Sequence, residues 1–417
     1  MPANPTLGRR AALHWLAAGL GATALPARLA LAAGSDDALS PRLVVLMLRG
    51  ALDGLAAVPA VGDPAWAALR GQAAAAPQPG TANEGSAAAA SPAGAEPRLL
   101  PGTLFALHPA LAQLHQWWGQ GQLLILHAVA SAYRERSHFD AQQLLESGGE
   151  RPFALQTGWL GRALQASGRP AVALSPAMPV ALRGAEQAST WTPSRRAPGS
   201  DDLLARVGQL YGDDRALADA WAKALQQQGL AREAGMAAGA GIAGMDAGQA
   251  NGLAALARQA GAFLSAERGA RVAWLEAGGW DTHTQQAGRL QRQLAALDDG
   301  LAALRSALGP HWARTSVLVM TEFGRTAVLN GSGGTDHGSG GVALLAGGAV
   351  AGGRVLTDWP GLAPAQLLDR RDLRPTQDIR AVIGALLQRQ FGLSQAQLRA
   401  GILPGAPVFD DAQLWRA

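Results

Sequence analysis

Short runs of continuously apolar residues, separated by helical segments, limit this chain to few architectures. Runs that are apolar at nearly every position are typical of strands buried on both faces of a sheet. Helices between successive strands provide the crossovers that parallel strands need. We therefore predict an α/β fold, a three-layer sandwich with a mostly parallel central sheet and helices on both faces. The predicted strands lie in RLVVLMLRG (42–50), QLLILHAVA (122–130), PAVALS (170–175), RVAWLEA (271–277), TSVLVMT (315–321) and GVALLAGG (341–348).

The segments between these runs have helical spacing of their apolar residues, and several end at a glycine. The last helix is predicted to begin at Pro375 and Thr376 and to end at a glycine. The other predicted helices cover residues 108–121, 158–166, 200–229, 251–268 and 284–307, and one more begins at SHFDAQQLLESG (137–148).

Composition permits a large core and excludes several classes of protein. The 417 residues are 48% hydrophobic and 16% charged, which argues against a disordered chain. The net charge of +4 is not concentrated in any run with interleaved aromatics, so we predict no nucleic-acid partner. The absence of cysteine excludes disulfides, thiolate metal ligands and a cysteine nucleophile.

The N-terminal 33 residues are typical of an export signal. Arg9 and Arg10 precede a weakly apolar run, and Ala30-Leu31-Ala32 resembles a small-x-small cleavage site. Paired arginines favour a twin-arginine signal, with an ordinary secretory signal or a chance basic terminus as the alternatives. We therefore expect the twin-arginine translocase as a partner, a periplasmic or secreted location, and no transmembrane span after signal removal.

The remainder, residues 34–417, is predicted to be a single domain with two poorly structured segments. Residues 71–98 are rich in Ala, Pro, Gly and Ser, which predicts a surface insertion. Residues 229–252 are broken by glycines and predict a linker or loose cap. Their GAGIAG segment (239–244) matches a dinucleotide-binding pattern, but no apolar strand precedes it, so we reject that interpretation.

Polar residues follow most of the longer predicted strands. In parallel sheets, ligands bind beyond the carboxyl ends of the strands. Carboxylates and imidazoles there would bind a divalent ion such as Zn or Mn, and arginines would bind phosphate or sulfate oxygens. We therefore expect one shared crevice at this edge. The residues that follow the strands, or that precede the last one, are Asp53, Arg134, Arg136, Ser137, His138, Asp281, His283, Glu322, Arg325, Asp336 and His337.

Several of these residues have a structural alternative. Asp53 could fix a turn. Ser137 could cap a helix through a capping box with Asp140, or could be a nucleophile at the same helix start. Arg325 could be the ion-pair partner of Glu322, which would otherwise be costly to bury. His138 could orient a ligand or belong to the core. His108, His115 and His127 are expected to be structural.

A set of motifs in fixed order resembles the DUF1501 family, which is bacterial and often exported by the twin-arginine route. The resemblance covers about residues 42–395 without the low-complexity insertions. It implies a fold similar to the alkaline phosphatase and sulfatase superfamily, whose members bind one or two metals at strand ends. The motifs are LRGALDGL, HPAL, GQLLILHAV, RSHFDAQQLLESG, GWLGR, GGWDTH, TEFGRT, GGTDHG and GGRVLTDWPGL.

The resemblance implies roles for individual residues. Asp53 matches a metal aspartate after the first strand, and Ser137 matches the nucleophile at a helix start. Metal ligands are expected among Asp53, Asp281, His283, Glu322, Asp336 and His337. Two departures argue against a full two-metal site. Asp281 and His283 are spaced by two rather than four, and Phe323 replaces a histidine.

Three functions follow as hypotheses. The first is an exported, metal-dependent hydrolase of a small-molecule or glycan phosphate or sulfate ester. Ser137 would attack, and Arg325 or Arg136 would hold the oxyanion. The second is a non-catalytic protein on the same fold that binds a metal or an anionic glycan. The third is a structural or assembly partner of another exported protein.

Overall fold

The computed structural model describes residues 40–70, 96–192, 201–233, 250–408 and 411–416. The predicted signal peptide, residues 71–95 of the insertion and residues 234–249 of the glycine-rich segment lie outside these ranges. The described ends of the two segments belong to regular elements. Arg98–Leu99 is a strand, residues 229–233 end one helix, and residues 250–252 begin another.

The described strands form one large sheet and one small hairpin. In the large sheet the order is β10-β4-β9-β8-β1-β7-β5-β6, and β11 also pairs with β4. Strands β2 and β3 form the hairpin. The strands are β1 (Arg42–Leu48), β2 (Arg98–Leu99), β3 (Ala106–Leu107), β4 (Leu123–Ala130), β5 (Ala171–Ala173), β6 (Ala188–Thr190), β7 (Val272–Ala277), β8 (Thr315–Thr321), β9 (Gly341–Ala346), β10 (Arg354–Leu356) and β11 (Gln377–Asp378).

Strand direction determines which loops meet. Strand β1 is parallel to β7 and β8, whereas β9 is antiparallel to both β8 and β4. Strands β1, β4, β7 and β8 therefore end at the same edge of the sheet, and β9 begins there. The loop that enters β9, which contains Asp336 and His337, reaches the same edge as the loops that leave the other four.

Helices cover both faces of this mostly parallel sheet, which confirms the predicted α/β sandwich. The helices are α1 (Gly54–Ala57), α2 (Trp66–Arg70), α3 (Ala112–Gly119), α4 (His138–Ser147), α5 (Trp159–Ser167), α6 (Asp201–Leu210), α7 (Arg215–Glu233), α8 (Ala250–Ser265), α9 (Gln286–Leu308), α10 (Ile379–Phe391) and α11 (Gln395–Gln397). Across the described ranges, no helix combines the length and apolar character that crossing a bilayer requires.

Two core clusters, one on each face, explain why the strand sequences are apolar at every position. In β1, Val44 and Leu46 pack in one cluster with α3, α8 and α9, whereas Val45 and Met47 pack in the other with α5 and α10. Successive side chains of a strand point to opposite faces, so a strand with helices on both sides needs apolar residues throughout.

Two helix predictions differ from the structure. The predicted helix 200–229 is two helices, α6 and α7, with a turn at residues 211–214 between them. The last long helix begins at Ile379 rather than at Pro375, because Gln377 and Asp378 pair with β4. The Asp378 side chain then caps α10 by accepting a hydrogen bond from the backbone N–H of Arg380.

Candidate metal site

Three residues from separate loops bring potential metal ligands together at the strand-end edge of the sheet. His138 is the first residue of α4, Asp281 follows β7, and His337 precedes β9. One ligand atom from each lies within 4.8 Å of the others. His283, two residues after Asp281, lies beside them: its Nε2 is 3.0 Å from His337 Nε2 and 2.9 Å from Asp281 Oδ1. We call these four residues the histidine cluster.

Three further distances within the histidine cluster are also short. His138 Nε2 is 2.9 Å from His337 Nε2. The Asp281 carboxylate lies 3.3 Å from His337 Nε2 through Oδ1 and 3.5 Å from His138 Nε2 through Oδ2. Zn–N bonds of 2.0–2.1 Å in a tetrahedral site place neighbouring ligand atoms about 3.3 Å apart. The spacing of His138, Asp281 and His337 therefore resembles that of ligands around a single small cation, and His283 Nε2 lies against two of these three.

The other nitrogen of each ring faces an atom that can only accept a hydrogen bond. His138 Nδ1 is 2.8 Å from Glu322 Oε1, and His283 Nδ1 is 3.0 Å from Asp336 Oδ1. His337 Nδ1 is 2.9 Å from the backbone carbonyl oxygen of Arg136. Because carboxylates and carbonyls accept, each Nδ1 carries the proton and donates it. In the neutral rings, Nε2 is then an unprotonated lone-pair donor that points into the cluster.

Protonation of a single imidazole would not provide a partner for every Nε2 lone pair in the cluster. The hydrogen bond to Glu322 raises the pKa of His138, and burial lowers the pKa of His337. A proton on His138 could bridge to His337. However, His337 Nε2 has one lone pair and faces His283 as well. A cation that accepts all the lone pairs satisfies the cluster, and a donor set of imidazoles and a carboxylate suits Zn or Mn.

Glu322 lies behind His138 rather than inside the cluster. Its side chain is buried, and Oε1 accepts hydrogen bonds of 2.8 Å each from His138 Nδ1, Gln142 Nε2 and the backbone N–H of Gly50. Burial alone would raise the pKa of Glu322, but hydrogen bonds from His138 and Gln142 outweigh it and lower the pKa. The carboxylate is therefore ionised and fixes which nitrogen of His138 faces the cluster.

Gln142 is in turn oriented by Arg49. Arg49 Nη1 donates to Gln142 Oε1 at 2.7 Å, which leaves the amide Nε2 to face Glu322. Arg49 also forms ion pairs with Glu146 and Glu276, each with a closest distance of 2.7 Å. A continuous chain of hydrogen bonds thus runs from these two carboxylates to the imidazole of His138.

Arg325 pairs with Asp281 and not with Glu322. Its guanidinium is buried, and Nη1 donates to Asp281 Oδ1 at 2.6 Å. It also donates to the hydroxyl and the backbone carbonyl of Thr335. The hydrogen bond from Arg325 overcomes partial burial and lowers the pKa of Asp281. Arg325 therefore keeps Asp281 ionised and aimed at the three histidines.

Asp53 is not brought into the cluster. Its carboxylate is buried, accepts hydrogen bonds from Arg70 and from Gln286 Nε2, and caps α1 through the backbone N–H of Ala56. These partners saturate the carboxylate. Asp336 lies at the rim instead, where it accepts from His283 and from Asn330, and the bond from His283 lowers its pKa.

Ser137 immediately precedes His138 at the N-cap position of α4, but its side chain forms no capping hydrogen bond. Asp140, which would complete a capping box, instead accepts from the hydroxyl of Tyr133 at 3.1 Å. The Ser137 side chain therefore does not cap α4.

Glycines let the loops approach closely enough to form the cluster. Gly50 has φ +117°, and a Cβ there would lie 2.6 Å from the backbone nitrogen of Asp281. At Gly334 a Cβ would lie 2.2 Å from the backbone of His283. Larger residues at these positions would push the loops apart. This explains the glycine-rich sequence around Asp336 and His337.

Sequence reasoning identified the edge and most of the cluster but left some residues unassigned. His138 was expected only to orient a ligand or to belong to the core, yet its Nε2 faces the cluster. Gln142 was not anticipated, although its position one turn after His138 places both on one helix face. Arg371 and Asp372 follow no predicted strand, so no pattern in the sequence indicated a functional role for them.

A family model described as a protein of unknown function, DUF1501, matches residues 40–402. The chain belongs to the DUF1501 family. The histidine cluster and the residues that support it all lie within the matched part of this DUF1501 chain. A search of curated proteins gives no match.

Solved structures show only weak likeness to this DUF1501 chain. The crystal structure of Ps i-CgsB in complex with k-i-k-neocarrahexaose aligns at 10% identity and TM-score 0.39, covering 86% of this chain and 74% of the other. The zinc complex of the C-terminal periplasmic domain of EcEptC from Escherichia coli aligns at 9% identity and TM-score 0.36, covering 85% and 83%. BT1596, a 2-O GAG sulfatase, aligns at 11% identity and TM-score 0.31, covering 76% and 66%. No functional argument follows from similarities this distant.

Proposed function

We propose that this DUF1501 chain is an exported, metal-dependent hydrolase with an alkaline phosphatase-like fold that acts on a phosphate or sulfate ester. One observation carries the proposal: the Nε2 atoms of His138, His283 and His337 converge with the Asp281 carboxylate while each Nδ1 is held by an acceptor. Such a set is unfavourable without a cation.

His138, His283, His337 and Asp281 would hold one divalent ion, and a nitrogen-rich set favours Zn. When bound, the ion supplies a Lewis acid that stabilises negative charge on an ester oxygen and lowers the pKa of a nearby hydroxyl. Glu322 and Asp336 hold the protons on Nδ1 of two histidines. Arg325 keeps Asp281 ionised. Asp53, saturated by Arg70 and Gln286, would support the fold rather than the ion.

In this proposal Ser137 is the nucleophile. It directly precedes His138, its hydroxyl is not used for capping, and the N-terminus of α4 favours the negative charge that develops during attack. The cavity beside His283 and His337, about 570 Å³, is large enough for a small ester or a sugar unit. Export by the twin-arginine route would allow the protein to acquire its metal before it leaves the cytoplasm.

The second candidate is a metal-dependent binding protein on the same fold that recognises an anionic glycan without turnover. It is favoured by the cavity beside His283 and His337, which is lined by charged and titratable residues and not by Ser137. Both candidates require the metal, and only the hydrolase requires Ser137.

The deciding experiment measures metal content by mass spectrometry on the purified full chain after metal-replete expression. We expect about one equivalent in the wild type and in His115→Ala, a histidine control whose Nε2 contacts the backbone carbonyl of Leu99. We expect severe loss in His138→Ala, Asp281→Ala and His337→Ala, because each removes one of four ligands. No metal in the wild type would overturn both candidates.

Turnover separates the two candidates. The metal-loaded wild type is assayed against aryl phosphate and aryl sulfate esters beside Ser137→Ala. We expect hydrolysis that falls by at least about 100-fold in Ser137→Ala, since covalent catalysis loses its nucleophile. Stoichiometric metal without hydrolysis of either ester, or equal rates in Ser137→Ala, would contradict the hydrolase with a serine nucleophile.

A further inference from the structure

A second constellation, outside the metal ligands, lies on the wall of the same cavity. The cavity is lined by Arg136, Asp369 and Arg371 together with His283, Asp336 and His337. Every lining residue is charged or titratable, which is unusual because most small-molecule pockets are largely apolar. The two arginines lie far apart in the sequence: Arg136 is in the loop before α4, and Arg371 is in a turn after β10.

One buried carboxylate holds the two arginines side by side. Asp372 is fully buried, and its Oδ2 accepts from Arg136 Nε at 3.1 Å and Arg136 Nη2 at 2.8 Å. Asp372 Oδ1 accepts from Arg371 Nη1 at 3.0 Å, and Ser339 donates to Oδ2 at 2.9 Å. One guanidinium would neutralise this carboxylate. The second guanidinium gives these three groups a net positive charge, which the exposed carboxylate of Asp369 beside Arg136 offsets.

The arginines keep free hydrogen-bonding capacity after these contacts. Besides Asp372, Arg371 donates from Nη2 to the backbone carbonyl of His337 at 2.8 Å, and Arg136 Nη2 lies 3.5 Å from Asp369 Oδ2. Each guanidinium carries five N–H donors in a planar fork, so both retain donors. The side chains of Arg136 and Arg371 are 29% and 39% exposed, and both line the cavity.

The backbone that presents these arginines adopts unfavourable conformations. Arg136 has φ 60°, and Asp369 and Arg370 both have φ 53°. Left-handed conformations are costly outside glycine, and they accumulate at sites where function requires a particular geometry. The turn is closed by the backbone N–H of Arg371, which donates to the carbonyl of Leu368 at 3.0 Å. The strain lies in the two segments that supply Arg136 and Arg371.

We propose that Arg136 and Arg371, paired through Asp372, form an oxyanion-binding clamp on the wall of the metal cavity. The clamp would bind the non-bridging oxygens of a phosphate or sulfate group, for which paired guanidinium forks are suited. This assigns the anion-binding role to Arg136 with Arg371, and not to Arg325, whose guanidinium is buried against Asp281 and Thr335. The inference rests on the proposed function for the neighbouring metal, but anion binding by the clamp does not require the metal.

The carboxylate of Asp369 would compete with a bound anion for Arg136. This carboxylate is 70% exposed and lies beside Arg136, so it opposes an incoming anion and occupies part of the guanidinium. Asp336, the other acid at the cavity, is bonded to His283 and Asn330 and is less free to compete. Replacing Asp369 by Asn would remove the opposing charge and still accept the left-handed backbone, which Asn tolerates well.

The test is titration of the full chain with inorganic phosphate, followed by calorimetry, after the metal has been removed with a chelator. We expect binding in the wild type, at least about tenfold weaker binding in Arg371→Gln and Arg136→Gln, and tighter binding in Asp369→Asn. Arg374→Gln is the matched control. Arg374 lies three residues after Arg371, is exposed, and contacts only the backbone carbonyls of Gln366 and Leu367 in the described residues.

Two results would overturn the clamp. One is the absence of phosphate binding in the metal-free wild type. The other is equal affinity in Arg371→Gln, Asp369→Asn and Arg374→Gln. Asp369→Asn keeps the proposal testable if an arginine variant fails to fold, because a gain in affinity requires a folded protein. Metal content measured on the same samples shows separately whether the metal site itself exists.

Discussion

Histidines occupy two contrasting environments in this molecule, the interior of the sheet and its strand-end edge. In the interior, His127 Nε2 donates to the carbonyl of Val58 at 3.0 Å, and Nδ1 accepts from the backbone N–H of Ala128 at 2.9 Å. At the edge, each of the three imidazoles in the histidine cluster has an acceptor for Nδ1, whereas its Nε2 faces another ring or the Asp281 carboxylate. A ring with both nitrogens satisfied is structural, whereas rings that leave one lone pair each and face one another are candidates for binding a cation.

Packing separates the two environments as clearly as hydrogen bonding does. The His127 ring stacks on Phe105 with centroids 5.0 Å apart and meets the edge of Trp359 at the same distance. It is fully buried. The rings of His138, His283 and His337 are 22%, 41% and 26% exposed. Removing an interior histidine should therefore cost stability, and removing an edge histidine should cost binding.

The largest expected effect is on stability, and it tests this contrast directly. His127→Ala leaves a cavity between Phe105 and Trp359 and two unpaired backbone groups, at a cost of about 3–5 kcal/mol in the free energy of unfolding. His337→Ala should cost less than about 1 kcal/mol in metal-free protein, since its ring is partly exposed. Chemical denaturation of chelator-treated proteins measures both values. A larger loss of stability in His337→Ala than in His127→Ala would contradict the contrast between interior and edge histidines.

An effect of intermediate size is expected on how the free energy of unfolding changes with pH. Burial lowers the pKa of His127 to about 4, against about 6.5 when the chain is unfolded. The unfolded state therefore binds the proton first, so the stabilisation is complete above pH 6.5 and is lost as the pH falls towards 4. Between pH 7.5 and pH 5, the wild type should lose about 2 kcal/mol relative to His127→Phe, which fills the space without titrating.

Denaturation curves at several pH values measure that difference. His108, whose pKa burial also lowers to about 4, is present in both proteins, so its contribution cancels. A wild type and a His127→Phe variant whose stabilities change in parallel with pH would show that His127 titrates normally in the folded state.

Sequence patterns predicted which edge of the sheet carries the polar side chains, but not how those side chains are arranged there. Apolar runs predicted the strands because burial on both faces leaves no choice of residue type. Polar residues after β7 and before β9 then had to lie near one another. Whether Glu322 faces a metal or the back of His138 depends on ångström-scale geometry, because a position at the end of a strand does not define where the carboxylate points.

Contacts between residues that lie far apart in the sequence were the second feature that sequence patterns could not predict. Asp53 looked like a ligand because it follows β1, but Arg70 and Gln286, which bind its carboxylate, lie 17 and 233 residues further along the chain. Asp372 similarly joins Arg136, which precedes it by 236 residues. Pairs at such separations have no periodicity, and a single sequence contains no local signal that couples them.

The smallest expected effect concerns Gln142, which touches no ligand atom of the cluster. Gln142→Ala removes one of the three hydrogen bonds to Glu322 Oε1 and separates Glu322 from Arg49. Glu322 would then hold His138 less firmly, so we expect metal affinity to fall by about tenfold, the lower end for residues that orient a metal ligand. Competition with a chromogenic chelator measures that affinity.

The neighbouring Gln143 provides the matched control. Gln143 lies on the same helix, but its amide bonds to the backbone of Phe153 and Leu155, so Gln143→Ala should leave metal affinity unchanged. Equal affinities in the two variants would show that Glu322 orients His138 without help from Gln142. A loss confined to Gln142→Ala would extend the difference between the two environments: edge histidines depend on a chain of oriented partners, whereas His127 depends on its packing and two backbone groups.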